Sequence, residues 1–188
     1  SLFSLYDDQS ELSTLNRNGR LHSPAADWYS LLNAVENAHK LTNGLFDPTV
    51  QPLWRAYNDH FDKVPNSEFK LNQDILSQVG WQHVAFDQSE IHFSQPGMSL
   101  PLNGIAQGFI TDRVTQILKE AGYSQVLVEL GETRALGLHP EQRPWHIGIK
   151  DASNPNKISK VAELDNQALA TSGGYGSSFS NDGKFHHL

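Results

Sequence analysis

The chain has 188 residues, of which 38% are hydrophobic, and its formal net charge is −7 with histidine neutral. That length suffices for one sizeable domain or two small ones with a real apolar core, and the negative charge excludes nonspecific nucleic-acid binding. The lack of cysteine excludes a disulfide framework, a thiolate metal site and a cysteine nucleophile.

The first half of the chain is predicted to be mainly helical. Ser10–Gly19 reads as a short helix that ends at its glycine. Apolar residues at helical spacing predict a longer second helix, with Ser23 as N-cap and Gly44 just past its end. Two further helices are predicted over Val50–Phe61 and over Asn72–Val79.

The second half changes to a strand pattern, interrupted by one long helix. HVAFDQSEIHF alternates around a polar turn, which predicts a β-hairpin. The helix that follows is predicted to bury one apolar face and to stop at Gly122; the face consists of Ile105, Phe109, Val114, Ile117, Leu118 and Ala121. Strands are then predicted in QVLVEL, TRALGL, WHIGIK, KVAEL and QALATSG. This order indicates an α+β fold with largely antiparallel sheets.

The stretch LNGIAQGFITD places Gly104 and Gly108 four residues apart at the start of the long helix. With Asn103 as N-cap, free amides at the helix start would suit a phosphate, and glycine would let the backbone come close. Close packing of the helix against a sheet would also explain the two glycines, so phosphate binding and packing both stay open.

Three other segments contain candidate groups. In NGLFDPTV, Asp47 suits an Asx-turn after a helix C-cap, or a pocket wall in which Leu45 and Phe46 present an apolar surface to a flat ligand. In LATSGGYGSS, Thr171 and Ser172 suit either a flexible turn or a phosphate site. In GKFHHL, adjacent strand histidines would point to opposite faces, so one of them is a structural residue or a general base.

Taken in order, these blocks resemble one family. FSLYDDQSELSTLN, NGLFDPTVQPLW, LNGIAQGFITDRV, VLVELGETRALG, ALATSGGY and GKFHHL are similar to successive motifs of the ApbE-type FAD:protein FMN transferases. The resemblance extends over nearly the whole chain. It implies a T-fold-like α+β architecture, and we expect a single, incomplete domain over residues 1–188 with further sequence at both ends.

The resemblance also implies an activity and a site. Members of this family use FAD and Mg²⁺, transfer FMN to a Thr or Ser hydroxyl of a target flavoprotein and release AMP. Nucleotide contacts are expected from Tyr6, Leu45, Phe46, Asp47, Asn103, Gln107, Thr171 and Ser172. The resemblance further assigns a backbone carbonyl ligand for the metal to Gly104, packing to Gly108 and the catalytic histidine to His187.

Among the departures from the family pattern are Gly131-Glu132, one glycine short of the usual pair before the acid, and two positions that lose a usual charged group. Pro101 stands where an aspartate is usual, and Gln107 where a lysine is usual. The departures leave an alternative open, in which the protein binds FAD without transferring FMN and acts in respiratory enzyme maturation. The block PLNGIAQG, together with LGETRALG, is most similar to the NosX-like branch. That branch implies a periplasmic protein, or one on the outer face of the inner membrane, and a NosR-like or other respiratory subunit as partner.

Overall fold

The computed structural model describes residues 1–64, 67–154 and 156–173. These residues form two compact units, divided after Gly104, and each unit is described by itself. The prediction that residues 1–188 form a single domain stays a prediction. Among the described residues, no helix has both the length and the apolar character needed to cross a bilayer.

The first unit contains four α-helices and one three-stranded sheet among its described residues. The helices are α1 (Glu11–Asn18), α2 (Ala26–Leu41), α3 (Gln51–Lys63) and the single turn α4 (Gln73–Leu76). The strands are β1 (Arg20–His22), β2 (Val84–Phe86) and β3 (Glu90–Phe93), with a 3-10 turn at Trp81–His83. Strand β3 lies in the centre and pairs antiparallel with both neighbours, so the predicted hairpin is confirmed and gains β1, which was not predicted.

The core of the first unit is formed mainly by apolar side chains from α1, α2, β3 and the segment after β3. Trp28 is fully buried, and Phe3 meets it edge to face with ring centroids 5.0 Å apart. The other core residues include Leu12, Leu15, Leu31, Leu32, Val35, Ile91, Met98, Leu100 and Leu102. The helical spacing of apolar residues in α2 therefore predicted the buried face of that helix.

The boundaries of α1 are confirmed. Ser10 accepts a hydrogen bond from the Ser13 amide at 2.9 Å, and Gly19 adopts a left-handed conformation at φ 68°. The fourth predicted helix is shorter than expected, because only Gln73–Leu76 is helical after the Asn72 cap.

The predicted N-cap of α2 is wrong. Ala25, and not Ser23, precedes the helix. Ser23 has φ 50°, and its amide donates to the Ser89 carbonyl at 2.7 Å. The carboxylate of Glu11 accepts from the Ala25 amide at 3.0 Å. Ser23 thus continues the contact between β1 and the hairpin turn, and the helix begins after it.

The turn between β2 and β3 depends on one exposed carboxylate. Asp87 Oδ1 accepts from the Ser89 hydroxyl at 2.7 Å, the Ser89 amide at 2.7 Å and the Glu90 amide at 2.9 Å. These bonds, with the Ser89 hydroxyl foremost and the charge of His92 adding to them, hold the pKa of Asp87 below its usual value of 3.8.

We therefore expect Asp87→Asn to remove one source of acid sensitivity. A carboxyl whose pKa is lowered by folding stabilises the native state above its unfolded pKa, and that contribution is lost as the pH falls through the folded pKa. Urea midpoints between pH 6 and pH 3 should fall less in Asp87→Asn than in the parent. Asp59→Asn, which removes another exposed charge of the same unit, is the control; equal pH slopes in all three proteins contradict the prediction.

The second unit contains one helix and five strands among its described residues. Helix α5 (Ala106–Glu120) contacts β4 (Val126–Glu129) and β5 (Thr133–Leu136), and β5 also pairs with β8 (Ala168–Leu169). Strands β6 (Trp145–Lys150) and β7 (Ile158–Leu164) form a separate antiparallel pair. The α+β prediction with antiparallel sheets is confirmed.

The predicted buried face of α5 is wrong in part. Ile117 is 60% exposed, whereas Ala106, Thr111 and Thr115 are buried. The Thr111 hydroxyl donates to the Gln107 carbonyl at 2.9 Å, and the Thr115 hydroxyl to the Thr111 carbonyl at 2.8 Å. Because the preceding turn satisfies these hydroxyls, threonine can occupy the buried face at little cost.

Candidate functional site

The loop after α2 holds the backbone of Phe46 from both sides. Gly44, at φ 85°, ends the helical region and donates to the His39 carbonyl at 2.8 Å. The Phe46 amide donates to the Thr42 hydroxyl at 2.9 Å, and the Phe46 carbonyl lies 2.8 Å from His39 Nδ1. Residues at the end of α2 therefore hold the backbone of Phe46, the first residue of the FDPT segment.

The carboxylate of Asp47 is used inside the protein. Its Oδ1 accepts from the Thr49 amide at 2.8 Å and from the Thr49 hydroxyl at 2.6 Å, and its Oδ2 accepts from the Trp81 amide at 3.0 Å. The Asx-turn interpretation of Asp47 is thereby confirmed. The carboxylate also joins this loop to the 3-10 turn, which the sequence did not indicate.

The first unit brings Phe46 and Gly104 together. A Cβ built on Gly104 would lie 3.4 Å from Cε2 of the Phe46 ring, so any larger side chain there would press on the ring. Leu45 and Tyr6 are 91% and 94% exposed. Such freely accessible apolar and aromatic side chains can be covered by a flat ligand such as a flavin ring. Contacts of these residues with FAD stay predictions.

The segment that leads to Gly104 is pinned to α1. Asn16 donates from Nδ2 to the Leu100 carbonyl at 2.8 Å and accepts from the Leu100 amide at 2.8 Å. Leu102 is buried at φ 53°, a conformation that favours glycine. Asn103 is exposed and is not the N-cap of α5, because the chain turns here and Ile105 occupies that position without a side-chain cap. The N-cap prediction for Asn103 is wrong.

In the second unit, Gln107 is engaged by the turn between β4 and β5. Its Nε2 donates to the Leu130 carbonyl at 2.9 Å. Gly131 has φ 96°, and a Cβ at this position would collide with the Gln107 amide. No described residue lies within 4 Å of a Cβ built at Gly108, so within this part of the chain the prediction that Gly108 serves close packing is wrong. The glycine that makes room is Gly131, across from the helix.

The remaining predicted site residues lie at the end of the chain. Thr171 and Ser172 are exposed and follow β8 outside regular structure. His187 lies outside the described residues, and its assignment as the catalytic histidine stays a prediction.

The described residues do not provide a side-chain site for Mg²⁺. Across residues 1–64, 67–154 and 156–173, no group of three or more His, Cys, Asp or Glu side chains could hold a metal ion. A Gly104 carbonyl would be a single oxygen ligand, whereas Mg²⁺ requires six, of which water and substrate phosphates supply several. The donor set present here therefore does not fit a complete metal site.

Sequence reasoning missed three residues that shape this region. Thr49 and Trp81 bind the Asp47 carboxylate, and Asn16 binds Leu100. The Asp-x-Thr spacing is a signal that could have identified Thr49. Nothing in the local sequence points to Trp81 or Asn16, because their partners are distant along the chain.

Curated relatives match this chain along nearly its whole length. The FAD:protein FMN transferase of Haemophilus influenzae is 30% identical over 193 residues, which cover 96% of this chain and 56% of the relative. The protein of the same name from Vibrio cholerae is 31% identical and matches 98% of this chain and 58% of its own length. The chain thus spans 56–58% of the length of these two relatives.

Solved structures show the same fold. The ApbE protein of Thermotoga maritima superposes with a TM-score of 0.81 at 29% identity, covering 98% of this chain and 62% of that one. The flavinyl transferase ApbE of Pseudomonas stutzeri, in its apo form, gives a TM-score of 0.73 at 27% identity and covers 93% and 56% of the two chains. A sequence profile described as the ApbE family matches residues 1–188, and the chain therefore belongs to the ApbE family.

Proposed function

We propose that this chain is part of an FAD:protein FMN transferase. The observation that carries the proposal is the match of 96–98% of this chain to part of two proteins named for this activity, at 30% and 31% identity. The loop in which Phe46 meets Gly104 supports the proposal, because it presents an organised backbone next to the exposed side chain of Leu45.

The proposed reaction is a phosphoryl-type transfer. A Thr or Ser oxygen of the target attacks the FMN phosphorus of FAD, the pyrophosphate P–O bond breaks, and AMP leaves with the bridging oxygen. The proton of the attacking hydroxyl goes to a general base, for which His187 is the candidate. Tyr6, Leu45 and Phe46 would bind and orient the flavin part.

The test uses the full-length gene product, FAD, MgCl₂ and a target fragment. Intact-mass measurement should show an FMN adduct on the target, and chromatography should show AMP in equal amount. His187→Ala should slow transfer by about 10²- to 10⁴-fold, the range expected for loss of a general base. His186→Ala is the matched control, because adjacent residues of a strand point to opposite faces and His186 would then face away from the site of His187.

A second candidate function is FAD binding without transfer. Its support is Gln107, whose amide nitrogen is engaged with the Leu130 carbonyl and which carries no charge to offer a phosphate. Bound FAD without an adduct, under conditions in which a known transferase modifies the same target, would favour this function. Absence of an FMN adduct, together with no FAD binding in a titration, would contradict both functions.

Magnesium dependence is proposed from the chemistry of the substrate alone. Cleavage of a pyrophosphate builds negative charge that a divalent cation commonly neutralises. Transfer should stop with EDTA and return with MgCl₂. Undiminished transfer in EDTA would remove magnesium from the proposal.

We also propose a periplasmic location, or one on the outer face of the inner membrane, and a NosR-like or other respiratory subunit as acceptor. The support is the similarity of PLNGIAQG and LGETRALG to the NosX-like branch. Cell fractionation tests the location, and flavin fluorescence of membrane proteins in a deletion strain tests the acceptor.

A further inference from the structure

Three internal donors converge on the carboxylate of Asp47, a residue expected to contact FAD. Two donors belong to Thr49, at 2.8 and 2.6 Å, and the third is the Trp81 amide at 3.0 Å. A carboxylate that accepts several short hydrogen bonds is oriented by them. Its position in the loop is therefore determined by the protein before any ligand arrives.

Thr49 is the centre of this arrangement. It is fully buried, and its hydroxyl donates to Asp47 while it accepts from the Gly80 amide at 2.6 Å. The Thr49 hydroxyl thus joins Asp47 to Gly80, whose φ of 145° favours glycine. We call Asp47, Thr49 and the amides of Gly80 and Trp81 the Asp47–Thr49 bridge.

The bridge acts on the residue just before it. The Phe46 amide is held by Thr42 and its carbonyl by His39, and the bridge holds the residues that follow Phe46. The Phe46 ring lies against Gly104. Loss of the bridge would release the chain just after Phe46, while the contacts of Phe46 with Thr42 and His39 would remain.

We propose that Asp47 is a positioning residue, which supports the flavin-nucleotide site through Thr49 by fixing Phe46 beside Gly104. The inference rests on the proposed function. It differs from the direct role expected from the family resemblance, in which the Asp47 side chain itself contacts the nucleotide. The positioning role requires that loss of the Thr49 hydroxyl weakens FAD binding, although Thr49 is fully buried and does not itself reach a ligand.

The test compares Thr49→Val, Thr49→Ser and Asp47→Asn in the full-length protein. Valine keeps the shape of threonine but removes the hydroxyl, and serine keeps the hydroxyl. Thr49→Val keeps the Asp47 carboxylate in the sequence but removes the hydroxyl that donates to it. Thr115→Val is the matched control, since it removes another buried hydroxyl that bonds to backbone at 2.8 Å in the second unit.

FAD affinity is measured by titration, with the folded fraction of each variant determined by urea denaturation. We expect Thr49→Val and Asp47→Asn each to weaken FAD binding about tenfold, since charge-assisted hydrogen bonds are lost. Thr49→Ser and Thr115→Val should bind like the parent. Hydrogen exchange at the Gly80 and Trp81 amides should quicken in Thr49→Val and Asp47→Asn only.

Parent-like affinity of Thr49→Val, with weak binding by Asp47→Asn, would overturn the inference and favour direct contact. If Thr49→Val does not fold, weakened binding by Thr49→Ser would also overturn it, because serine retains the hydroxyl. A parent protein that binds no FAD would overturn the inference together with the proposed function, so the two failures are distinguishable.

Discussion

Replacing Gly137 by alanine is expected to destabilise the second unit by about 3–5 kcal/mol, through backbone strain together with a steric clash. Gly137 follows β5 at φ 64°, and a Cβ at this position would collide with the backbone carbonyl of Ser124. A backbone atom cannot swing away as the end of a side chain can.

The backbone of Gly137 is also held on both sides. Its amide donates to Asn166 Oδ1 at 2.8 Å, and its carbonyl accepts from the Trp145 indole at 3.0 Å. Any shift that relieves the clash with Ser124 therefore weakens these two hydrogen bonds, each with a net value of about 1 kcal/mol.

Gly122→Ala is the matched control for the Gly137→Ala experiment. Gly122 has φ 91°, but a Cβ there would have no atom of the described chain within 4 Å. This variant should show only the strain of a left-handed alanine, about 1–2 kcal/mol. Urea denaturation measures both losses, and equal destabilisation would mean that the Ser124 contact contributes nothing.

Asn16→Ala should have the second largest effect, a loss of about 2–4 kcal/mol from the stability of the first unit. The amide of Asn16 satisfies both the N–H and the C=O of Leu100, a residue with 0% exposure. Alanine leaves both backbone groups buried without this partner, at a cost of about 1–3 kcal/mol each.

Asn18→Ala tests whether the effect belongs to the Leu100 contact. Asn18 is exposed at the end of the same helix, and its substitution should change stability by less than about 0.5 kcal/mol. Denaturation midpoints of the two variants check the prediction. In Asn16→Ala, faster hydrogen exchange at the Leu100 and Leu102 amides should accompany the loss, because the segment before Gly104 is released.

Elements defined by neighbours in sequence were predictable. Ser10 caps α1 through a residue three positions away, and the turn of the β2–β3 hairpin is closed by Asp87, Ser89 and Glu90. Short-range hydrogen bonds and apolar periodicity decide such elements, so the residues themselves contain the information. The N-cap prediction for Ser23 is wrong because its amide donates to the Ser89 carbonyl in the hairpin turn. Local capping rules do not include such a distant acceptor.

The buried face of α5 shows another limit of prediction from hydrophobicity. Thr111 and Thr115 are buried while Ile117 is 60% exposed. Side-chain hydroxyls that bond to the preceding helical turn behave as small apolar groups toward the rest of the protein. Apolar periodicity alone therefore predicts the wrong buried face for part of this helix.

The sequence by itself determined the α+β class, most helix and strand positions and the resemblance to the ApbE family. Only the tertiary structure decided that Asp47 also binds Trp81 and that Gln107 binds Leu130. Asp47 meets Trp81 across 34 positions, Thr49 meets Gly80 across 31, and Asn16 meets Leu100 across 84. A polar side chain takes whichever donors and acceptors folding brings within about 3 Å, and at these separations chain order does not specify them.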